Sequence, residues 1–181
     1  MAQQGPGVSS AEKLLQGGPS GQNEPSGQPM PDGRPMPNGI EMLLGTWKLV
    51  SCLGYWSDGR VTYPYGENPA GLLVYDARGH FSGQIQGQGR PLFESGNLLK
   101  GAPEEIKAAF EGYVAYYGKY EVDEEAASLT HYVQGSLFPN WVGDTQTRLY
   151  AFKDDNLSLT TPPFVGKRNQ LTLTLLWERS D

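Results

Sequence analysis

The sequence predicts an all-β domain of eight or nine short antiparallel strands with one α-helix, preceded by a disordered tail. Three observations carry that prediction. From Leu44 onward apolar and polar residues mostly alternate, the period of a half-buried strand, and turn signals interrupt the alternation at short intervals. One stretch alone, after Pro103, has the helical period. The first 41 residues contain no Phe, Trp or Tyr and hold half of the fourteen prolines, so they cannot bury enough apolar surface to offset their ordering entropy. Residues 1–41 are therefore expected to be a disordered Pro/Gly-rich tail, either a solvated extension or a docking peptide, and residues 42–181 the one folded domain.

The elements follow in order. "TWKLVSCLGYW" alternates until Ser57-Asp58-Gly59, a hairpin signal. "RVTYPYG" is a short strand limited by Pro64, and "GLLVYD" and "HFSGQIQ" flank Ala77-Arg78-Gly79. In the loop "GQGRP", Arg90 is either a solvated charge or a gate at an opening. Pro103 suits a first helical turn, and Glu104 and Glu105 favour its positive end. Ile106, Ala109, Phe110, Tyr113, Val114 and Tyr117 then recur at helical spacing, predicting an apolar stripe that faces a sheet. Strands resume as "YGKYEV", "SLTHYVQG", "TQTRLYAF", "NLSLTT" and "QLTLTLLWER". In the last, Leu171, Leu173, Leu175 and Trp177 share a dry face opposite Thr172, Thr174 and Glu178. So many strands in so short a chain predict a sandwich or a closed up-and-down barrel.

Composition excludes several functions. The net charge of −6 without a Lys/Arg cluster argues against nucleic acid or an anionic membrane as partner. No stretch has the length and apolarity of a membrane span, and none reads as a secretory signal. Cys52 is the one cysteine, so no internal disulfide or Cys-rich zinc site forms, and a cytoplasmic location is expected. His80 and His131 lie on separate strands without metal-ligand spacing, and "GQIQGQGRP" lacks the strand-to-helix setting of a dinucleotide loop. No metal and no cofactor are expected.

The densest stretch is "HYVQGSLFPNWVGDTQTR", residues 131–148. By parity His131 points inward with Leu129 and Val133, either as a buried structural histidine or as an acid/base or polar anchor. Gln146, Arg148, Tyr150 and Phe152 share one face, and the aromatics favour that face as inward. An inward Arg148 needs an anionic or carbonyl partner; an outward one would be an ordinary surface arginine. Trp141, in the loop "FPNWVG", caps the core or lids a flat ligand. Tyr75, Tyr117 and Tyr120 offer phenols, and Tyr120, on a face with Val122, is the best inward candidate. Cys52 is opposite Trp47 in strand parity and is expected outside any cavity.

"LLGTWKLVS", with Gly45-Thr46-Trp47, and "LLWER", with Arg179, are similar to the lipocalin and wider calycin pattern. There a first-strand tryptophan seals the closed barrel end and a last-strand arginine packs across it, which assigns Trp47 and Arg179 to structure. "YPYGENPAGLLVYDARGHFS", "GRP", "YYGKYEVD" and "THYVQGSLFPNWVGDTQTR", between those two ends, resemble the small lipocalin-like domain family of bacteria and fungi over residues 43–179. The resemblance implies a lipocalin-like (calycin) barrel with a small-molecule pocket, and natural-product pathways for some fungal relatives. Relatives often read His-His where this chain has His131-Tyr132, so a paired-histidine mechanism is in doubt here. The expected function is binding of a small, largely apolar, aromatic, polyketide- or terpenoid-like molecule. His131 and Arg148 would catalyse a cofactor-free isomerisation or cyclisation, with Tyr75, Tyr120, Trp141, Gln146 and Tyr150 contacting the ligand. The alternative is a non-catalytic intracellular carrier or sensor; an interaction module led by the tail ranks third.

Overall fold

The computed structural model describes residues 39–165 and 169–180. The expected tail lies outside them except for Gly39, Ile40 and Glu41, which belong to a short helix, α1 (Gly39–Leu43). The folded segment therefore takes in three residues that composition had assigned to the tail. The strands are β1 (Gly45–Trp56), β2 (Val61–Thr62), β3 (Ala70–Tyr75), β4 (His80–Gln86), β5 (Tyr113–Asp123), β6 (Ser128–Ser136), β7 (Thr145–Lys153), β8 (Asn156–Thr160), β9 (Phe164–Val165) and β10 (Gln170–Arg179). Helix α2 (Pro103–Glu111) joins β4 to β5, and a 3-10 turn at Pro139–Trp141 lies between β6 and β7.

Eight strands, β1, β3 to β8 and β10, follow one another as antiparallel neighbours, and β10 pairs back onto β1. The sheet is thus a closed barrel rather than a sandwich. Closure removes the free edges that an open sheet would expose. The two-residue strands β2 and β9 extend β1 and β10 at one end, against Gly54 and Leu171. Among the described residues no helix is long and apolar enough to cross a membrane.

At the opposite end Trp47 and Arg179 lie together under α1. The Trp47 indole N–H donates to the Leu43 carbonyl at 2.8 Å. Arg179 lies 4.4 Å from the Trp47 ring centroid and donates to the carbonyls of Leu44, at 2.9 Å, and Met42, at 2.6 Å. A guanidinium here satisfies carbonyls at the C-terminal end of α1 and holds that end over the barrel floor.

Three local features differ from the sequence reading. First, α2 stops at Glu111, and its Ile106 and Phe110 are about half exposed. Tyr113, Val114 and Tyr117 belong to β5, where pairing to β4 from Gln86 to His80 outweighs the helical spacing. The predicted start of the helix does hold: Pro103 opens it and Glu105 accepts from the Ala102 N–H at 2.7 Å. Second, the β1–β10 register slips by one residue between Leu49 and Ser51, leaving Val50 as a bulge. Parity inverts beyond it, so Cys52 faces inward with Trp47 rather than away from it. Third, Arg90 neither gates an opening nor floats in solvent. It donates to the Ala109 carbonyl at 2.9 Å and lies 5.0 Å from the Tyr113 ring, fastening the end of α2 to the barrel.

Candidate functional site

Between the sealed floor and the other end lies a cavity that opens at the barrel mouth, with about 700 Å3 of unfilled space when the open solvent at the mouth is included. Most of its wall is apolar, from Leu73, Ile85, Val114, Leu159, Leu173 and Leu175. Polar groups gather on one side, where β5, β6 and β7 run together. The β6–β7 register sets His131 opposite Gln146 and Leu129 opposite Arg148. Because alternate residues share a face, His131, Gln146 and Arg148 all line the cavity. Trp141, from the 3-10 turn, completes this side and meets Tyr116 edge-on at 5.5 Å between centroids.

His131 is 1 % exposed and stacks on Phe81, with centroids 3.9 Å apart and planes within 12°. Its Nε2 is 2.8 Å from the Tyr75 hydroxyl and its Nδ1 is 3.3 Å from the Tyr116 hydroxyl. Burial, and then the nearby Arg148 charge, hold its pKa well below the usual 6.5, so the ring is neutral. A neutral imidazole has one donor and one acceptor nitrogen. The Tyr75 phenol is fully buried and, among the described residues, bonds to nothing but His131. If Nε2–H donated to it, the phenol proton would be stranded, at a cost of about 1–3 kcal/mol. Tyr75 therefore donates to Nε2, and Nδ1–H donates to the Tyr116 oxygen. The Tyr116 O–H, on the cavity wall, remains free to donate to something else.

This arrangement limits the chemistry. Both His131 nitrogens are engaged, so the ring holds the Tyr75 and Tyr116 hydroxyls in place. Burial pushes the Cys52 thiol up to about 12, which keeps it protonated and unreactive at neutral pH. Arg148 is 9 % exposed; it donates to the Thr147 carbonyl at 2.8 Å and, at 3.5 Å, to Gln146 Oε1.

The other expected contacts fall elsewhere. Tyr75 is inward but stands behind His131, outside the cavity wall. Tyr120 is inward too, yet its hydroxyl donates to the Asp76 carbonyl at 3.0 Å beyond the cavity. Tyr150 packs against Phe152 near Gly39 and does not reach the cavity. Tyr117 is more than half exposed. The sequence reading missed Tyr116 and Tyr65, both on the wall. Parity with Tyr120 would have found Tyr116 had β5 been extended backward; Tyr65 follows β2 in a loop and leaves no periodic signal.

A family model described as a lipocalin-like domain matches residues 44–180. A 4'-hydroxy-3'-methoxypropiophenone carrier protein of Aspergillus oryzae is 36 % identical over 86 residues, an alignment that spans 44 % of this chain and 78 % of that protein.

Proposed function

The chain belongs to the lipocalin-like domain family, and on that premise we propose that it is an intracellular carrier holding one small, largely apolar aromatic molecule in its barrel. The observation that carries this reading is the cavity itself: apolar walls with a few converging polar groups, the usual make-up of a small-molecule site. The carrier named from Aspergillus oryzae supports the ligand class, since the molecule in its name is an aromatic ketone with a phenol. In the proposed pose a flat ring lies against Trp141 and an oxygen accepts from Tyr116. The single cysteine, Cys52, suits a reducing cytoplasm.

The cofactor-free isomerase or cyclase is the rival, with His131 and Arg148 as its working pair. Against it stand the two engaged nitrogens of His131. The test is a tryptophan-fluorescence titration with a panel of aryl ketones, followed by chromatography and mass spectrometry of each mixture. Saturable quenching with the ligand recovered unchanged is the expected result. A new chromatographic peak that is lost in His131→Ala would replace the carrier by an enzyme. Failure of every aryl ketone to bind would remove the ligand class and the carrier together.

A further inference from the structure

Among the described residues, Arg148 stands in the cavity as a cation without a counter-ion. Its two protein acceptors, the Thr147 carbonyl and Gln146 Oε1, are neutral, and the second bond is long. Among the described residues the ion pairs link Lys48 to Glu178, Arg60 to Asp58, His80 to Asp76 and Lys107 to Glu111, and none involves Arg148. Among the described residues no Asp or Glu lines the cavity. The titratable groups around it are Cys52 on β1, Tyr65 after β2, Tyr116 on β5 and His131 on β6, with Tyr75 of β3 behind His131. Among the described residues no carboxylate stands with them on the wall to offset the guanidinium.

A buried charge left unpaired is costly, and the cost falls when an anion enters. A guanidinium also carries five N–H donors, most of them unspent here. The free Tyr116 O–H adds a further donor on the same side of the cavity. Donors without acceptors, around a lone cation and beneath apolar walls, form a site for a negatively charged oxygen on an otherwise apolar molecule.

Resting on the carrier reading, we propose that the cavity takes its ligand as an aromatic oxyanion, with the ionised oxygen between the Arg148 guanidinium and the Tyr116 hydroxyl. The barrel then selects a protonation state as well as a shape. Burial alone would favour the neutral acid, so a preference for the anion is diagnostic.

The probe is 4-nitrophenol, whose ionised form is yellow and which ionises near neutrality; 4-nitroanisole is its uncharged counterpart. Binding of each to the full chain is measured across the neutral pH range, and the ionisation of bound nitrophenol is read from its colour. The expected result is a bound pKa at least one unit below the free value, equivalent to at least tenfold tighter binding of the anion than of the neutral phenol. The affinity ratio of nitrophenolate to nitroanisole should collapse toward one in Arg148→Gln and recover in Arg148→Lys, which shows that the change reports charge and not misfolding. If both probes bind but bound nitrophenol ionises at or above its free pKa, the oxyanion proposal is wrong and the carrier stands. An undiminished ratio in Arg148→Gln would overturn it equally. If neither probe binds, the carrier reading fails, and this proposal with it.

Discussion

Acidification from about pH 7.5 to about pH 5.5 probes the neutral state of His131 through the stability of the whole fold. In the folded protein burial, assisted by Arg148, holds the His131 pKa well below 6.5; in the unfolded chain it returns to 6.5. Between those two values the unfolded state binds one proton more than the folded state. Stability therefore rises with pH across that window and levels off above 6.5. The slope is about 1.4 kcal/mol per pH unit at most, and integration over the two-unit step gives a loss of about 1.4 kcal/mol on acidification. Asp58, Asp76 and Glu105, whose carboxyls are held below their ordinary range by hydrogen bonds, titrate at lower pH and leave the window clear. Urea unfolding at the two pH values, in wild type and in His131→Gln, measures the effect, and the difference between the two proteins isolates the share of His131. Equal pH dependence in both proteins, or greater stability at the lower pH, would refute the neutral, desolvated His131.

Three further outcomes follow from the same contacts. Tyr75→Phe strands Nε2 of His131 and should cost about 1–3 kcal/mol in urea unfolding, while nitrogen NMR of the ring shows the single tautomer giving way to a mixture. Arg179→Met removes two hydrogen bonds to carbonyls and the stacking on Trp47, for a loss of about 2–4 kcal/mol and earlier hydrogen exchange in α1. Gly118→Ala should cost about 1–3 kcal/mol in thermal unfolding, because a Cβ there runs into the Tyr132 carbonyl beside the β5–β6 register shift.

Most of the fold was legible because it rests on short-range alternation. β10 reads as a strand from its own residues, and Trp47 with Arg179 marks which end is closed. What alternation cannot reveal is where it slips. The bulge at Val50 has no residue type that announces it, and it reverses every assignment after it, Cys52 included. Helical spacing misled at Tyr113 because aromatic residues at i, i+3 and i+4 also fit the start of a strand, and the partner that decides the matter, β4, is distant in sequence. For the site, parity turned His131 inward and set Gln146 and Arg148 on one face with Tyr150 and Phe152, but it left open whether that face was inward. It could not foresee that the Tyr120 hydroxyl is spent on Asp76, because a backbone acceptor leaves no trace in a residue pattern.

The barrel is closed by its first and last strands, and this places the cavity late in the life of the chain. Lys48 and Glu178, paired across that seam, are 130 residues apart. Bringing such distant segments together costs about 2 kcal/mol more in chain entropy than closing a ten-residue hairpin. Contacts of this range put folding toward the slow end for a domain of this size. On the ribosome every hairpin from β3 to β8 can form before β10 emerges, yet none of them encloses the cavity that His131 and Arg148 line. A nascent chain arrested, or clipped, before Leu171 would have strands and no container.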